Sequence, residues 1–178
     1  TGLIPSSLEF MDRTSLSLVS RYIGSSLPYA DAGAHLIVQL ESGDAEALAD
    51  QYEQVGDLCF EGGALEVFVA DNRNFRDQLW KARKNIAEAV IAFYTKYAKE
   101  DLVVPTSAVP QLMKGIGRVC SSYDLESANF GHVGDGNMHV NILAGEDRED
   151  WREAIEAARL DLYRLTAELG GTLSGEHG

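Results

Sequence analysis

Three of the four histidines fall in two glycine-rich clusters, Gly131-His132-Val133-Gly134-Asp135-Gly136-Asn137-Met138-His139 and Gly175-Glu176-His177-Gly178. Asp135-Gly136 is a favoured pair for a two-residue type I′ hairpin turn, in which both positions need positive φ. That turn predicts Gly134 facing Asn137, Val133 facing Met138, and His132 directly opposite His139. Opposed residues share a sheet face with Cβ atoms about 4.5–5.5 Å apart. Two imidazoles so placed can chelate one divalent metal at about 2.0–2.1 Å per nitrogen. Asn141 follows two residues along the same face, with Phe130 predicted opposite it. Glu176 and His177 are adjacent and point to opposite faces of a regular strand, so both reach one site only if the backbone bends. Gly175 and Gly178 permit that bend. Glu176 then completes a set of two imidazoles and one carboxylate, with coordination positions left for substrate. The plainer alternative is a tight hairpin carrying a histidine pair on a solvated face. The bare backbone at Gly131, Gly134 and Gly136 favours close approach of a ligand. His35 heads an apolar run and reads as structural.

The elements that must position these residues follow from periodicity. Leu8 to Met11 reads as a short strand, Ser15 to Ile23 as a helix closed by Gly24, and His35 to Leu40 as a buried strand. Asp44 to Cys59 carries Leu48, Tyr52, Val55 and Cys59 at helical spacing, and Leu65 to Val69 is β-favouring. Asp71 or Asn72 caps a long helix predicted to run to about Tyr97. Leu102 to Val104 reads as a strand ended by Pro105, and Ser107 as the cap of a helix through Leu112, Ile116 and Val119. Leu125 to Val133 and Met138 to Leu143 pair as strands. Glu149 to Leu169 is an amphipathic helix stopped by Gly170-Gly171, with a short strand near Leu173. From Asp101 the order is strand, helix, strand, strand, helix, strand, the split βαβ of ferredoxin-like domains. The fold class is therefore α+β, a ferredoxin-like antiparallel sheet covered by helices. The first half also alternates strands and helices, leaving a second related half open, although no matching hairpin shows.

Charge narrows the partners. The 28 acidic and 15 basic residues leave a formal net charge of −13, which repels phosphate backbones and argues against nucleic acid. It also repels a small carboxylate, so an anionic ligand needs a local arginine, lysine or metal ion. No apolar run approaches the roughly 20 residues that span a bilayer, and no secretory leader opens the chain. Cys59 and Cys120 lie far apart and read as free thiols of a reducing compartment. A cytoplasmic location is expected, with peripheral attachment at the membrane as its variant.

The two histidine clusters, read together, resemble the C-terminal domain of FAD-linked oxidases, the group that includes the FAD-linked subunit of glycolate oxidase, D-lactate dehydrogenases and D-2-hydroxyglutarate dehydrogenase. The likeness covers nearly the whole chain, with support from Gly2 to Asp12, from Leu79-Trp80-Lys81-Ala82-Arg83-Lys84 and from Glu100 to Pro105. It implies that His132, His139 and Glu176 bind zinc or manganese and that His177 sits at the substrate hydroxyl as the catalytic base. It further implies that Arg83 grips the substrate carboxylate, with Asn141 and Lys99 as additional substrate contacts. On residue type alone, Arg83 reads as a solvated charge on a helix that also holds Lys81 and Lys84.

What the resemblance implies overall is the substrate- and metal-binding domain, residues 1–178, of an FAD-dependent dehydrogenase. Such an enzyme oxidises a small 2-hydroxy acid of the glycolate or D-lactate type to the 2-oxo acid. FAD would be held mainly by a separate flavin domain, with an electron-accepting subunit as a further candidate partner. Both ends look cut, and the isolated chain is expected to be inactive. The alternatives are a non-catalytic metal-binding or regulatory α+β domain, which needs only the metal set, and an interaction module, which needs neither metal nor arginine.

Overall fold

The computed structural model describes residues 3–174. The Gly175 to Gly178 cluster, with the predicted ligand Glu176 and base His177, lies outside the described residues. The chain runs β1 (Ser7–Asp12), α1 (Arg13–Ile23), β2 (Ala34–Gln39), α2 (Ala45–Glu61), α3 (Arg73–Lys84), α4 (Ile86–Phe93), β3 (Tyr97–Val103), α5 (Val109–Ser122), β4 (Glu126–His132), β5 (Asn137–Leu143) and α6 (Trp151–Glu168). The strands form one antiparallel sheet in the order β2-β1-β4-β5-β3. Thr172 makes an isolated antiparallel bridge to Val103 on the outer side of β3. That bridge stands where the sequence predicts a strand near Leu173, and it gives β3-α5-β4-β5-α6 the ferredoxin-like order. β1 and β2 extend the same sheet beyond β4.

Strand periodicity sends alternate residues to two apolar layers. Leu102, Met138, Val140 and Ile142 pack under Leu112 and Ile116 of α5 and Leu162 of α6. Burying each such side chain contributes about 1.5–3 kcal/mol. The opposite face sets Met11, Ala128, Phe130 and Leu143 against Leu16 and Val19 of α1, Ala82 of α3, and Ile86 and Val90 of α4. This second face carries the histidines. No helix among the described residues is long and apolar enough to cross a membrane.

Two side chains fix the helices that matter to that face. Asp12 caps α1 by accepting from Ser15 N at 2.8 Å, and its other oxygen accepts from Asn129 N at 2.9 Å and Asn129 Nδ2 at 2.7 Å. One carboxylate thus starts the helix and ties it to β4. Asn72 caps α3 by accepting from Phe75 N at 2.9 Å, as one of the two predicted caps.

The structure corrects several readings. The run His35 to Leu40, read as a buried strand, forms β2 at the edge of the sheet, where no residue of Ala34–Gln39 is buried and Leu36 is exposed. The helix expected from Asn72 to about Tyr97 is interrupted at Asn85, whose Nδ2 donates to Lys81 O at 2.8 Å and draws that carbonyl away from the helical ladder. The second piece stops at Phe93, because residues 97–103 pair with β5. Leu65 to Val69, although β-favouring, has no ladder partner among the described residues and forms no strand. Ser107 lies inside a 3₁₀ turn, Thr106–Ala108, that leads into α5 and is not its cap.

The last of these corrections is the hairpin register. His132 pairs with Asn137 and Phe130 with His139, while Asn141 pairs with Ala128. The connection is four residues long, a 3₁₀ turn over Val133–Asp135 closed by Gly136 at φ +75. A type I-like turn ended by a left-handed glycine replaces the predicted two-residue turn. A Cβ on Gly136 would lie 1.9 Å from Val104 O, so the position is held to glycine by space as well as by φ. The register moves by two residues. A slip of one would have sent His139 to the other face, whereas a slip of two preserves parity and leaves both histidines on one face, diagonal to each other.

Candidate active site on the sheet face

Reading across the strands, one row of side chains on this face is Glu9, His132, Asn137 and Val103, and the next is Met11, Phe130, His139 and Asp101. Ala128, Asn141 and Lys99 form a third. The histidine rings stand edge-to-face with centroids 5.5 Å apart, and the Phe130 ring lies 5.1 Å from that of His139.

Glu9 is the centre of the cluster and only 5% exposed. Its Oε1 accepts from His132 Nδ1 at 2.8 Å and Ser7 Oγ at 3.0 Å. Its Oε2 takes both Arg83 Nε at 2.9 Å and Arg83 Nη2 at 2.8 Å. Burial pushes the Glu9 carboxyl up, but the hydrogen bond from His132 and the charges of Arg83 and His132, with Ser7, outweigh it and hold the group below its usual value. An ionised carboxylate only accepts, so His132 Nδ1 carries the proton and donates it. His139 Nδ1 approaches Asp101 Oδ1 at 3.3 Å. Both imidazoles therefore turn Nδ1 toward a carboxylate, the outer-sphere arrangement that orients metal-ligating histidines. Ligation of a metal would fall to Nε2 of each ring. Among the described residues, no group of three or more histidine, cysteine, aspartate or glutamate side chains is disposed to hold a metal ion.

Arg83 is not a solvated charge. It is 8% exposed, its guanidinium lies 4.8 Å from the Phe130 ring, and it is committed to Glu9 at two of its nitrogens. In the last turn of α3, Ala82 and Arg83 are buried while Lys81 and Lys84 stay exposed. The structure thus joins His132, Arg83 and, by ring contact, His139. Asn141 is buried, and its Nδ2 donates to Ala128 O at 2.8 Å. Lys99 is exposed beside it, with Nζ 5.8 Å from the Tyr97 ring.

Glu9 and Asp101 are the site residues that sequence reasoning missed. A signal for Glu9 was present: a carboxylate two residues before Met11 on one strand face must be buried with it, and a buried charge needs a cation. A surface cleft lies elsewhere, near the start of β4, lined by Tyr94, Asp124, Glu126, Arg148 and Asp150. Its acidic rim opposes a carboxylate ligand, and Arg148 there is already held by Asp150 and by the carbonyls of Tyr123 and Asp124.

Comparison with known proteins identifies the family of the chain. The fold is similar to that of p-cresol methylhydroxylase with substrate bound, at a TM-score of 0.62 and 12% identity, over 94% of this chain and 38% of that one. In sequence the chain is 36% identical to the glycolate oxidase subunit GlcD of Escherichia coli K12, across 99% of this chain and 35% of that protein. It is 29% identical to a D-lactate dehydrogenase of Anaerostipes hadrus (99% and 38%) and 28% identical to the mitochondrial D-2-hydroxyglutarate dehydrogenase of Rattus norvegicus (99% and 32%). The chain thus spans about a third of the length of these relatives. With residues 1–178 matching the family described as FAD linked oxidases, C-terminal domain, the chain belongs to that family.

Proposed function

We propose that this chain is the substrate-side domain of an FAD-dependent dehydrogenase that converts a small 2-hydroxy acid, of the glycolate or D-lactate type, to its 2-oxo acid. The observation that carries the reading is the Glu9 array, a buried carboxylate joining an arginine to one of two neighbouring imidazoles on the face of a family sheet. A structural hairpin gains nothing from burying a charged network of this kind, whereas a site for an anionic, proton-losing substrate needs fixed cations and oriented imidazoles.

In this reading His132 and His139, with Glu176, hold a divalent metal, zinc or manganese. The bound metal would lower the pKa of a hydroxyl oxygen beside it. Glu9 keeps the proton of His132 on Nδ1 and so keeps the Nε2 lone pair available. Arg83, anchored to Glu9 through Nε and Nη2, presents its remaining edge to the substrate carboxylate and offsets the chain's net charge of −13. His177 takes the hydroxyl proton as the C2–H bond breaks, and the electron pair of that bond leaves as hydride. The flavin, held mainly by the remainder of the full-length protein, supplies the hydride acceptor. Asn141 and Lys99 flank the substrate from the third row.

The test is anaerobic mixing of the full-length, flavin-loaded protein with glycolate, both lactate enantiomers and 2-hydroxyglutarate, followed by flavin absorbance. Bleaching by at least one 2-hydroxy acid, with the matching 2-oxo acid formed in equal amount, supports the reading. No bleaching by any of them, in protein with full flavin content, rejects it and favours the non-catalytic metal-binding alternative.

A further inference from the structure

Asn137 stands in the same row as Glu9 and His132, and two residues before His139 on the same strand face. It is 3% exposed. Among the described residues neither its Nδ2 nor its Oδ1 has a hydrogen-bond partner. Its neighbour Asn141 has its Nδ2 satisfied by Ala128 O, and Asn129 has its Nδ2 satisfied by Asp12 and Ser127. Leaving a buried donor or acceptor unpaired costs about 1–3 kcal/mol, and Asn137 bears that cost at both ends of its amide. Leucine or methionine would remove it. An orphaned amide at the heart of a polar row is the pattern of a group whose partner arrives with the ligand.

From this we infer that Asn137 is a substrate-positioning residue, its amide pairing with the head group of the 2-hydroxy acid. This inference rests on the function proposed above. A carboxamide offers a donor and an acceptor side by side, so its complement is a ligand presenting an acceptor and a donor on neighbouring carbons. The carboxylate and α-hydroxyl of a 2-hydroxy acid meet that requirement: Nδ2 donates to a carboxylate oxygen and Oδ1 accepts from the hydroxyl. The hydroxyl turns from Oδ1 to the base as the proton leaves. A 2-oxo acid keeps only the first bond, so Asn137 favours the reduced ligand over the product. A flavin ring edge shares this donor–acceptor chemistry and is the other source to be separated.

The experiment uses full-length, flavin-loaded protein and two non-reacting probes, read by perturbation of the flavin spectrum. Pyruvate is a 2-oxo acid, and 2-hydroxyisobutyrate is a 2-hydroxy acid with no hydrogen on C2. Asn137→Ala is expected to weaken 2-hydroxyisobutyrate by about 10–100-fold and pyruvate by less. The ligand-free melting temperature should stay unchanged or rise, since no existing bond is lost, while stabilisation by added 2-hydroxyisobutyrate shrinks. Asn137→Asp, nearly isosteric, should bind both anions more weakly than Asn137→Ala, and it serves where the alanine variant does not fold. Unchanged affinity for both probes overturns the inference. So does a lowered ligand-free melting temperature with unchanged affinity, which makes Asn137 a structural residue. Unchanged affinity with a shifted ligand-free flavin spectrum or potential assigns the amide to the flavin. If the unmodified protein binds neither probe, the proposed function itself fails; if it binds both and Asn137→Ala binds them equally, only this inference does.

Discussion

Glu9→Gln isolates the central interaction with the loss of one charge and almost no change of shape. The carboxylate accepts three hydrogen bonds, from His132 Nδ1, Ser7 Oγ and Arg83 Nε, and makes a further ion-pair contact with Arg83 Nη2. A glutamine has one acceptor oxygen. If that oxygen serves Arg83, its NH2 faces His132 Nδ1, which must then accept, and the ring proton moves to Nε2. If the oxygen serves His132, the NH2 confronts two guanidinium donors. Either way Arg83, with 9% of its side chain exposed, keeps its charge without the opposing one. Removing one partner of a buried pair costs about 3–5 kcal/mol. At about 2–4 °C per kcal/mol for a domain of this size, the melting temperature should fall by about 6–20 °C. The double variant Glu9→Leu/Arg83→Met, with both charges replaced by apolar groups, should recover most of that loss. Thermal and urea unfolding measure the energies, and the ¹⁵N shifts of the His132 ring report its proton. A Glu9→Gln protein within about 1 kcal/mol of the parent, with the proton still on Nδ1, would refute the reasoning.

Other consequences follow from the same geometry. Gly136→Ala places a Cβ against Val104 O at φ +75 and should cost about 2–4 kcal/mol in urea unfolding, where Gly145→Ala, with open space around it, should cost less than about 1. Burial pushes the Cys120 thiol up to about 11. At pH 8 about one molecule in a thousand then carries the reactive thiolate, so Cys120 should resist iodoacetamide while the less buried Cys59 is alkylated. The Cys120 rate should rise about tenfold per pH unit from 8 to 10, as mass spectrometry of the native protein can follow. In the full-length enzyme His177→Ala should lower kcat by about 10²–10⁴-fold, and Arg83→Lys should raise KM more than it lowers kcat. A near-normal rate of flavin reduction in His177→Ala would place the base elsewhere.

The β-strand period of two made the shared face of His132 and His139 legible even though the turn type was misjudged, because the error in register was even. Local chemistry was equally readable at Asn72 and Gly24, where a cap or a left-handed glycine acts within a few residues. What stayed hidden depends on partners distant in sequence. Leu65 to Val69 has strand-forming residues but pairs with no strand among the described residues. The helical pattern read on to about Tyr97 breaks off at Phe93, and Tyr97 to Val103 pairs with β5. Arg83 looked like one of several solvated cations because its partner, Glu9, lies 74 residues away. The Asn85 interruption comes from a side chain competing for a backbone carbonyl, and the residue type alone does not say whether it will.

The claim that matters most is that His132 and His139 form one metal-holding pair in the service of hydroxy-acid oxidation. The direct measurement is a calorimetric titration of zinc and manganese into chelator-stripped, full-length, flavin-loaded protein, with 2-hydroxy-acid-dependent flavin bleaching followed on the same samples. The account predicts one ion per chain, bleaching lost on stripping and restored as that site fills, and affinity weakened at least tenfold in both His132→Ala and His139→Ala. Full bleaching by stripped protein, or a metal stoichiometry and affinity that neither substitution changes, would contradict it.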